Sequence, residues 1–182
     1  MALGARPAGT VLETEQLAVA AELEPSQLSM AIEWLLAKSL LVVHAEVVTP
    51  MVSLTKVGEQ YVSGASPIER VFSAAREVAS TGKRLTIPDL QAQDGLDPAD
   101  VSKAVGRLKK EGVLLIVQGG CIESTGRPSP TVEAIRLLLQ QVNEAARELK
   151  SFPEAHRQVI EDYAVKRGNA KEPFRVDDRV TR

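Results

Sequence analysis

The chain has 182 residues, a formal net charge of -2 and 44 % hydrophobic residues, and only 3 % of the chain is aromatic. A single cysteine excludes an internal disulfide and a zinc site built from several thiolates. Because no apolar run approaches the roughly 18 residues of a membrane span and no signal peptide opens the chain, we expect a cytoplasmic protein with small cores of Leu, Val, Ile and Ala.

The first 65 residues predict helices followed by strands. Apolar residues recur at helical spacing and then give way to β-favouring runs, so we expect two helices and two strands at Glu13 to Ala21, Pro25 to about Lys38, Leu40 to Val48 and Met51 to Leu54. The strands are separated at Thr49-Pro50, because proline does not fit a central ladder and typically marks a turn. A short helix from Thr55 to Gly64 closes this unit.

Residues 66–127 predict three helices and a hairpin. Ser66 caps the first helix, which ends at Thr81-Gly82, and shorter and longer helices follow near Asp89 to Gln93 and from Pro98 to Glu111. Two β-favouring runs then flank Gly119-Gly120, a pair of residues for which positive φ is easy. Three helices followed by a β-hairpin predict a winged helix-turn-helix unit.

The two units are copies at an offset of 73 residues. Residues 11–43 align on residues 84–116 without a gap, and eight positions are identical: Leu12/Leu85, Leu17/Leu90, Leu23/Leu96, Pro25/Pro98, Ser29/Ser102, Ala31/Ala104, Leu35/Leu108 and Leu41/Leu114. The opening helix of the second copy begins near Pro67, so its counterpart would start about six residues before Met1. We therefore expect the first copy to retain only Ala2 to Ala5 or so of that helix.

The remaining residues predict a third, incomplete unit. A long helix from Thr131 to about Lys150 precedes a second helix from Ser151 to about Gly168, and Phe174 to Val176 with Val180 indicate the start of a wing. The expected fold class is therefore mostly α with small β-hairpins (α+β), arranged as tandem winged helix-turn-helix units. The predicted domains are 1–65, 66–127 and 128–182.

Candidate contact surfaces differ between the copies. Lys103, Arg107 and Lys110, with Lys109 beside them, form a basic stripe that could meet nucleic-acid phosphates in the way of a recognition helix. The first copy is acidic, with 3 basic and 7 acidic side chains in residues 1–65, and carries Trp34 where the second has Arg107. Trp34 is therefore either a core residue or a protein-interface anchor.

No catalytic or metal site is predicted. His44 and His156 lack a ligand partner at helical spacing, Cys121 is a strand residue, and Gly119-Gly120 is a hairpin turn without the Lys-Ser or Lys-Thr of a phosphate loop.

Two stretches carry a resemblance to a known family. Val52 to Tyr61 contains Leu-Thr-x-x-Gly-x-x-Tyr, and the following segment from Gly64 to Phe72 contains Pro67-Ile68-Glu69-Arg70. Together with the tandem winged units, they resemble the N-terminal region of the phenylalanyl-tRNA synthetase (phenylalanine–tRNA ligase) alpha subunit of the archaeal and eukaryotic type. Phe152-Pro153-Glu154 and the final Arg179 to Arg182 also resemble that family's third unit.

The resemblance implies a part of a class II enzyme that attaches phenylalanine to its tRNA, with tRNA and a beta subunit as partners. No membrane association is expected, because no apolar run is long enough to span a bilayer. The resemblance also implies ATP and Mg²⁺ for the full enzyme but no cofactor bound by this chain. None of the class II catalytic motifs is present, so no catalytic residue is assigned and enzymatic activity of this chain stays open. The alternatives are a winged-helix DNA-binding transcriptional regulator and a winged-helix adaptor for protein interactions.

Overall fold

The structure is a computed structural model that describes residues 11–166 and 171–181. The protein has a mixed α+β fold. The helices are α1 (Thr14–Ala21), α2 (Pro25–Ala37), α3 (Lys56–Ser63), α4 (Pro67–Thr81), α5 (Ile87–Gln91), α6 (Pro98–Lys110), α7 (Pro130–Glu144) and α8 (Glu154–Asp162). The strands are β1 (Val47–Leu54), β2 (Leu114–Val117), β3 (Cys121–Ser124), β4 (Arg147–Glu148) and β5 (Phe174–Thr181). No helix among the described residues is long and apolar enough to cross a membrane.

The strands of the described residues form two small sheets. One contains β4, β1 and β5 in that order, and the other is the antiparallel pair of β2 and β3. The hairpin pairs Leu114 with Ser124 and Val117 with Cys121, and the predicted glycines at its turn both have positive φ, 83° at Gly119 and 73° at Gly120. This conformation is cheap for glycine, so the two residues close the hairpin without strain.

The chain divides into two compact units, one comprising residues 11–51 with 177–181 and the other residues 52–176. The second unit holds the larger core. Its core draws fully buried side chains from α4, α5, α6, β2, α7, α8 and β5, and the largest are Leu90, Leu108, Leu114, Ile135, Leu138, Leu139, Ile160 and Phe174.

Helix caps set the boundaries that the sequence predicts. The side chains of Ser66 and Glu69 form a capping box at the start of α4, and Gly82 ends it in the left-handed conformation. Capping boxes also begin α1 at Glu13 and α2 at Glu24. The predicted bounds of α1, α2, α4 and α6 are confirmed to within a residue or two.

The 73-residue offset is preserved in the helices. Helix α6 spans Pro98–Lys110 and α2 spans Pro25–Ala37, so both ends differ by 73 positions, and α5 and α1 begin at Ile87 and Thr14 with the same difference. The predicted remnant of a first helix at Ala2 to Ala5 lies outside the described residues.

The predicted turn at Thr49-Pro50 is wrong. Pro50 lies inside a single strand, β1, and residues 41–46, predicted as part of an earlier strand, have no regular structure. An extended strand accommodates the φ of proline and loses only one hydrogen-bond donor. The neighbour on one side of β1, β4, is two residues long and so leaves most of that edge of β1 unpaired with it.

The helices of the last third are shorter than predicted. Helix α7 ends at Glu144, not near Lys150, since Arg147 and Glu148 enter the sheet. Helix α8 ends at Asp162, not near Gly168, because the backbones of Tyr163 and Val165 bond to Phe174. In both places pairing with a distant strand overrides local helix propensity. The short α5 begins and ends two residues before its predicted bounds.

Candidate nucleic-acid interface

Helix α6 presents one buried face and one charged face. Val101, Ala104, Val105 and Leu108 are buried, and Asp97 caps the helix by accepting a hydrogen bond from the Ala99 N–H at 2.9 Å. Proline at the first position and three basic residues in the last turn agree with the helix dipole. The basic residues therefore stabilise the helix itself, whatever else they contact.

Lys103 is engaged within the chain. Its Nζ lies 2.7 Å from Glu172 Oε1, donates to the Asp162 carbonyl oxygen at 3.2 Å, and sits 4.2 Å from the centroid of the Tyr163 ring. A cation over an aromatic face and beside a carboxylate is stabilised by both. Lys103 thus joins α6 to the end of α8 and to the segment that leads into β5.

Arg107 is the second stripe residue engaged within the chain. Its Nε donates to Glu111 Oε1 at 3.1 Å and to Thr131 Oγ1 at 2.8 Å, and its Nη1 lies 3.3 Å from Asp162 Oδ2. Glu111 also accepts hydrogen bonds from Thr131 and from Ser129 Oγ. This network fastens the end of α6 to the start of α7, so Arg107 has a structural role that spacing alone did not reveal.

Lys109 and Lys110 differ from these two residues. Both are exposed, and neither forms an ion pair or hydrogen bond with any residue that the structure describes. Arg127, also exposed, places its Nη1 3.8 Å from where a Cβ on Gly112 would lie, just beyond the end of α6. The structure therefore brings Arg127 to the same helix end, and sequence reasoning missed it because it lies 17 positions after Lys110.

Burial dominates the electrostatics around Lys103. The pKa of Tyr163 is raised to about 12, first by desolvation, and burial also raises the pKa of Tyr61. The pKa of Asp100 is raised as well, by burial and then by the neighbouring carboxylate of Asp97. These groups surround a small space next to Pro173, and Lys103 supplies positive charge on its wall.

The Leu-Thr-x-x-Gly stretch has a physical explanation in the fold. Thr55 caps α3 by accepting a hydrogen bond from the Gly58 N–H at 3.1 Å, while its own Oγ1 donates to the Glu172 carbonyl oxygen at 2.8 Å. The Thr55 N–H donates to the Pro173 carbonyl oxygen at 3.0 Å. A Cβ on Gly58 would lie 2.2 Å from that oxygen, so only glycine permits the close approach. The motif docks the segment before β5.

Trp34 lies on the surface of α2. It is 60 % exposed, with the Lys38 ammonium 5.9 Å from its ring centroid, and Met30 is exposed on the same helix. The core interpretation of Trp34 is therefore wrong, and its assignment as a protein-interface residue stays a prediction. Four residues apart, Met30 and Trp34 share one apolar surface.

Among residues 11–166 and 171–181, no group of three or more His, Cys, Asp or Glu side chains is placed to hold a metal ion. Cys121 is the first residue of β3, as its strand assignment predicts, whereas His44, predicted in a strand, lies in the irregular segment before β1.

Comparison with known proteins identifies no relative: no family model, no curated protein and no solved structure matches this chain.

Proposed function

We propose that this chain is the N-terminal part of a phenylalanine–tRNA ligase alpha subunit, built from tandem winged helix-turn-helix units that bind tRNA and pack against the beta subunit. In this proposal the chain carries no chemistry of its own; aminoacylation with ATP and Mg²⁺ belongs to the full enzyme. The cytoplasm is the compartment in which we place it.

The order of elements supports the winged-helix interpretation. Helices α4, α5 and α6 precede an antiparallel hairpin, and the last two helices recur as α1 and α2 at a fixed offset. The docking of Thr55 and Gly58 against the segment before β5 also gives the Leu-Thr-x-x-Gly stretch a definite role. These features support the family resemblance in residues that carry it.

The exposed cations at the end of α6 are the observation that carries the RNA-binding proposal. Lys109 and Lys110 are available to phosphate oxygens, and Arg127 lies at the same end of the helix. Lys103 and Arg107, which completed the predicted stripe, satisfy carboxylates of the chain itself. Counterion release at two or three phosphates gives modest, salt-dependent affinity, as expected of an accessory contact.

Binding to tRNA tests the proposal. Fluorescence anisotropy compares a labelled phenylalanine tRNA transcript with duplex DNA at 50 and 200 mM salt, using the chain and its Lys109→Glu/Lys110→Glu variant. We expect preference for the tRNA and about a tenfold or greater loss in the variant, because two phosphate contacts become repulsive.

The matched control is Lys56→Glu/Lys150→Glu, which changes the net charge equally at two other exposed positions. It should retain most of the affinity. Equal weak binding to both nucleic acids, or equal loss in both variants, would contradict an RNA site at α6. A preference for duplex DNA that depends on Lys109 and Lys110 would instead favour the transcriptional regulator.

A further inference from the structure

Two carboxylates from outside α6 pair with two of its basic residues, within the unit of residues 52–176. Glu172 Oε1 lies 2.7 Å from Lys103 Nζ, and Asp162 Oδ2 lies 3.3 Å from Arg107 Nη1. The two cations are four residues apart and share one face of the helix, about 6 Å apart along its axis. Carboxylate and phosphate oxygens accept the same charge-assisted hydrogen bonds from Lys and Arg. The two acidic groups therefore occupy the positions from which phosphates would contact these cations.

The Glu172 carboxylate is ordered by contacts on both sides of it in the chain. Thr55 Oγ1 donates to the Glu172 carbonyl oxygen at 2.8 Å, and the Nζ of the preceding Lys171 lies 2.8 Å from Asp97 Oδ2 at the start of α6. The Glu172 side chain is 14 % exposed. A tethered group that is already ordered acts at a high effective concentration and loses little entropy when it pairs, so it competes strongly with a ligand from solution.

The Lys103 ammonium has three N–H groups and already has three partners in the chain. The Glu172 carboxylate and the Asp162 carbonyl oxygen accept hydrogen bonds from it, and the centroid of the Tyr163 ring lies 4.2 Å away. The Lys103 side chain is nevertheless 41 % exposed. A phosphate can therefore approach this ammonium from solution, but it must displace the Glu172 carboxylate in order to bind.

We propose that Asp162 and Glu172 are internal competitors of phosphate and determine how tightly α6 binds RNA. While they hold Lys103 and Arg107, the contact with phosphate is confined to the cations at the end of the helix. When they are neutralised or displaced, Lys103 binds phosphate, and Arg107 does so through its Nη atoms while its Nε stays with Glu111. This inference rests on the proposed RNA-binding function and adds the residues that limit it.

Neutralising the two carboxylates tests the inference. The neutralised variant, Asp162→Asn/Glu172→Gln, keeps a hydrogen-bond acceptor at each position. By fluorescence anisotropy it should bind the labelled phenylalanine tRNA transcript about five- to tenfold more tightly than the wild type, since partly exposed ion pairs contribute a factor of about two to five each. Between 50 and 200 mM salt, the slope of log Kd against log salt concentration should be larger by about 0.7 or more, because additional phosphate contacts release additional counterions.

Glu77→Gln/Glu161→Gln is the matched control. It removes two negative charges from the same unit, and Glu161 directly precedes Asp162 in α8. Both glutamates are exposed, and neither forms an ion pair with a residue that the structure describes. The affinity of the control should stay within about twofold of wild type, because it releases no cation of α6. Equal gains in the control and the neutralised variant would reveal a general charge effect and overturn the inference.

Lys103→Gln identifies the source of the gain. It should weaken tRNA binding about threefold more in the neutralised variant than in the wild type, because the lysine is free to bind phosphate only after Glu172 loses its charge. Equal effects in the two backgrounds would contradict the release of Lys103.

A measurement on the unaltered chain keeps the test valid even if the neutralised variant unfolds. Lysine-selective acetylation, followed by mass spectrometry with and without tRNA, reports which ammonium groups RNA covers. The tRNA should protect Lys109 and Lys110 but leave the modification rate of Lys103 unchanged. Strong protection of Lys103 would mean that the wild type already binds RNA through it, and would overturn the inference.

The outcomes separate this inference from the proposed function. If Lys109→Glu/Lys110→Glu weakens tRNA binding but the neutralised variant binds as the wild type does, the proposed function stands and the inference fails. Binding by the neutralised variant alone would support the inference. Absence of tRNA binding in both the wild type and the neutralised variant would overturn both.

Discussion

The close approach of Gly58 to Pro173 predicts that Gly58→Ala destabilises the protein. The added Cβ would lie 2.2 Å from the Pro173 carbonyl oxygen and 3.0 Å from its carbonyl carbon, with Leu54 Cδ2 at 3.3 Å on another side. Backbone atoms cannot rotate away as a flexible side chain can. The segment before β5 must shift, which weakens the hydrogen bonds from Thr55 to Glu172 and Pro173.

Two opposing terms decide the magnitude. Overpacking of this kind costs about 1–3 kcal/mol, and each neutral hydrogen bond that weakens costs up to about 1 kcal/mol. In the opposite direction, the greater helix propensity of alanine stabilises α3 by roughly 1 kcal/mol. The net loss is about 2 kcal/mol, which lowers Tm by about 4–8 °C in a chain of this size.

Gly106→Ala is the matched control, because Gly106 lies inside α6 and a Cβ there would meet nothing within 4 Å. It should raise the unfolding free energy by up to about 1 kcal/mol. Urea unfolding followed by circular dichroism measures both variants. A Gly58→Ala variant as stable as the Gly106→Ala variant would refute the steric argument.

Three further predictions concern the cap of α3, the hydrogen-bond network of Glu111 and the titration of Tyr163. Thr55→Ala removes the cap of α3 and should lower the free energy of unfolding, measured with urea, by about 1–2 kcal/mol. Thr55→Ser keeps the hydroxyl and should retain most of the wild-type stability. Glu111→Ala leaves buried Ser129 and Thr131 hydroxyls without their acceptor and should cost about 2–4 kcal/mol; Glu111→Gln near wild-type stability would contradict a charge-based network. Because the folded pKa of Tyr163 is raised to about 12, its contribution to stability is present below pH 10 and is lost as pH rises from about 10 to 12. Absorbance at 295 nm should show this late titration, and Tyr163→Phe should remove it.

Local signals were enough to predict the bounds of α1, α2, α4 and α6. Ser66 and Glu69 indicated where α4 begins, and Gly82 indicated where it ends. These signals are local because a helix cap involves only residues within about one turn of the helix end. The repeat predicted α1 and α2 equally well, because the same sequence pattern occurs in both copies and each occurrence predicts the same helices. The hairpin glycines were also local signals.

Long-range pairing explains what sequence patterns missed. Arg147 and Glu148 have good helix propensity, and only a strand from elsewhere in the chain turns them into β4. The partners of Lys103 lie 59 or more positions away, and those of Arg107, apart from the neighbouring Glu111, lie 24 and 55 positions away. A helical stripe of basic residues therefore predicts a charged face, but it does not predict which of those residues form ion pairs within the chain.

The hydrogen bond between Thr55 and Glu172 joins residues 117 positions apart, with consequences during synthesis. At roughly 5–20 residues per second, a ribosome needs about 6–23 s to pass from one partner to the other. Helices α4 to α6 and their hairpin can pack from contacts within residues 66–124 during that interval. Over the same time Thr55 can accept the hydrogen bond from Gly58 that caps α3, but it cannot yet donate to Glu172. This contact of the larger unit is therefore made late, and a nascent chain stopped before residue 172 should be more sensitive to protease around α3 than the finished protein.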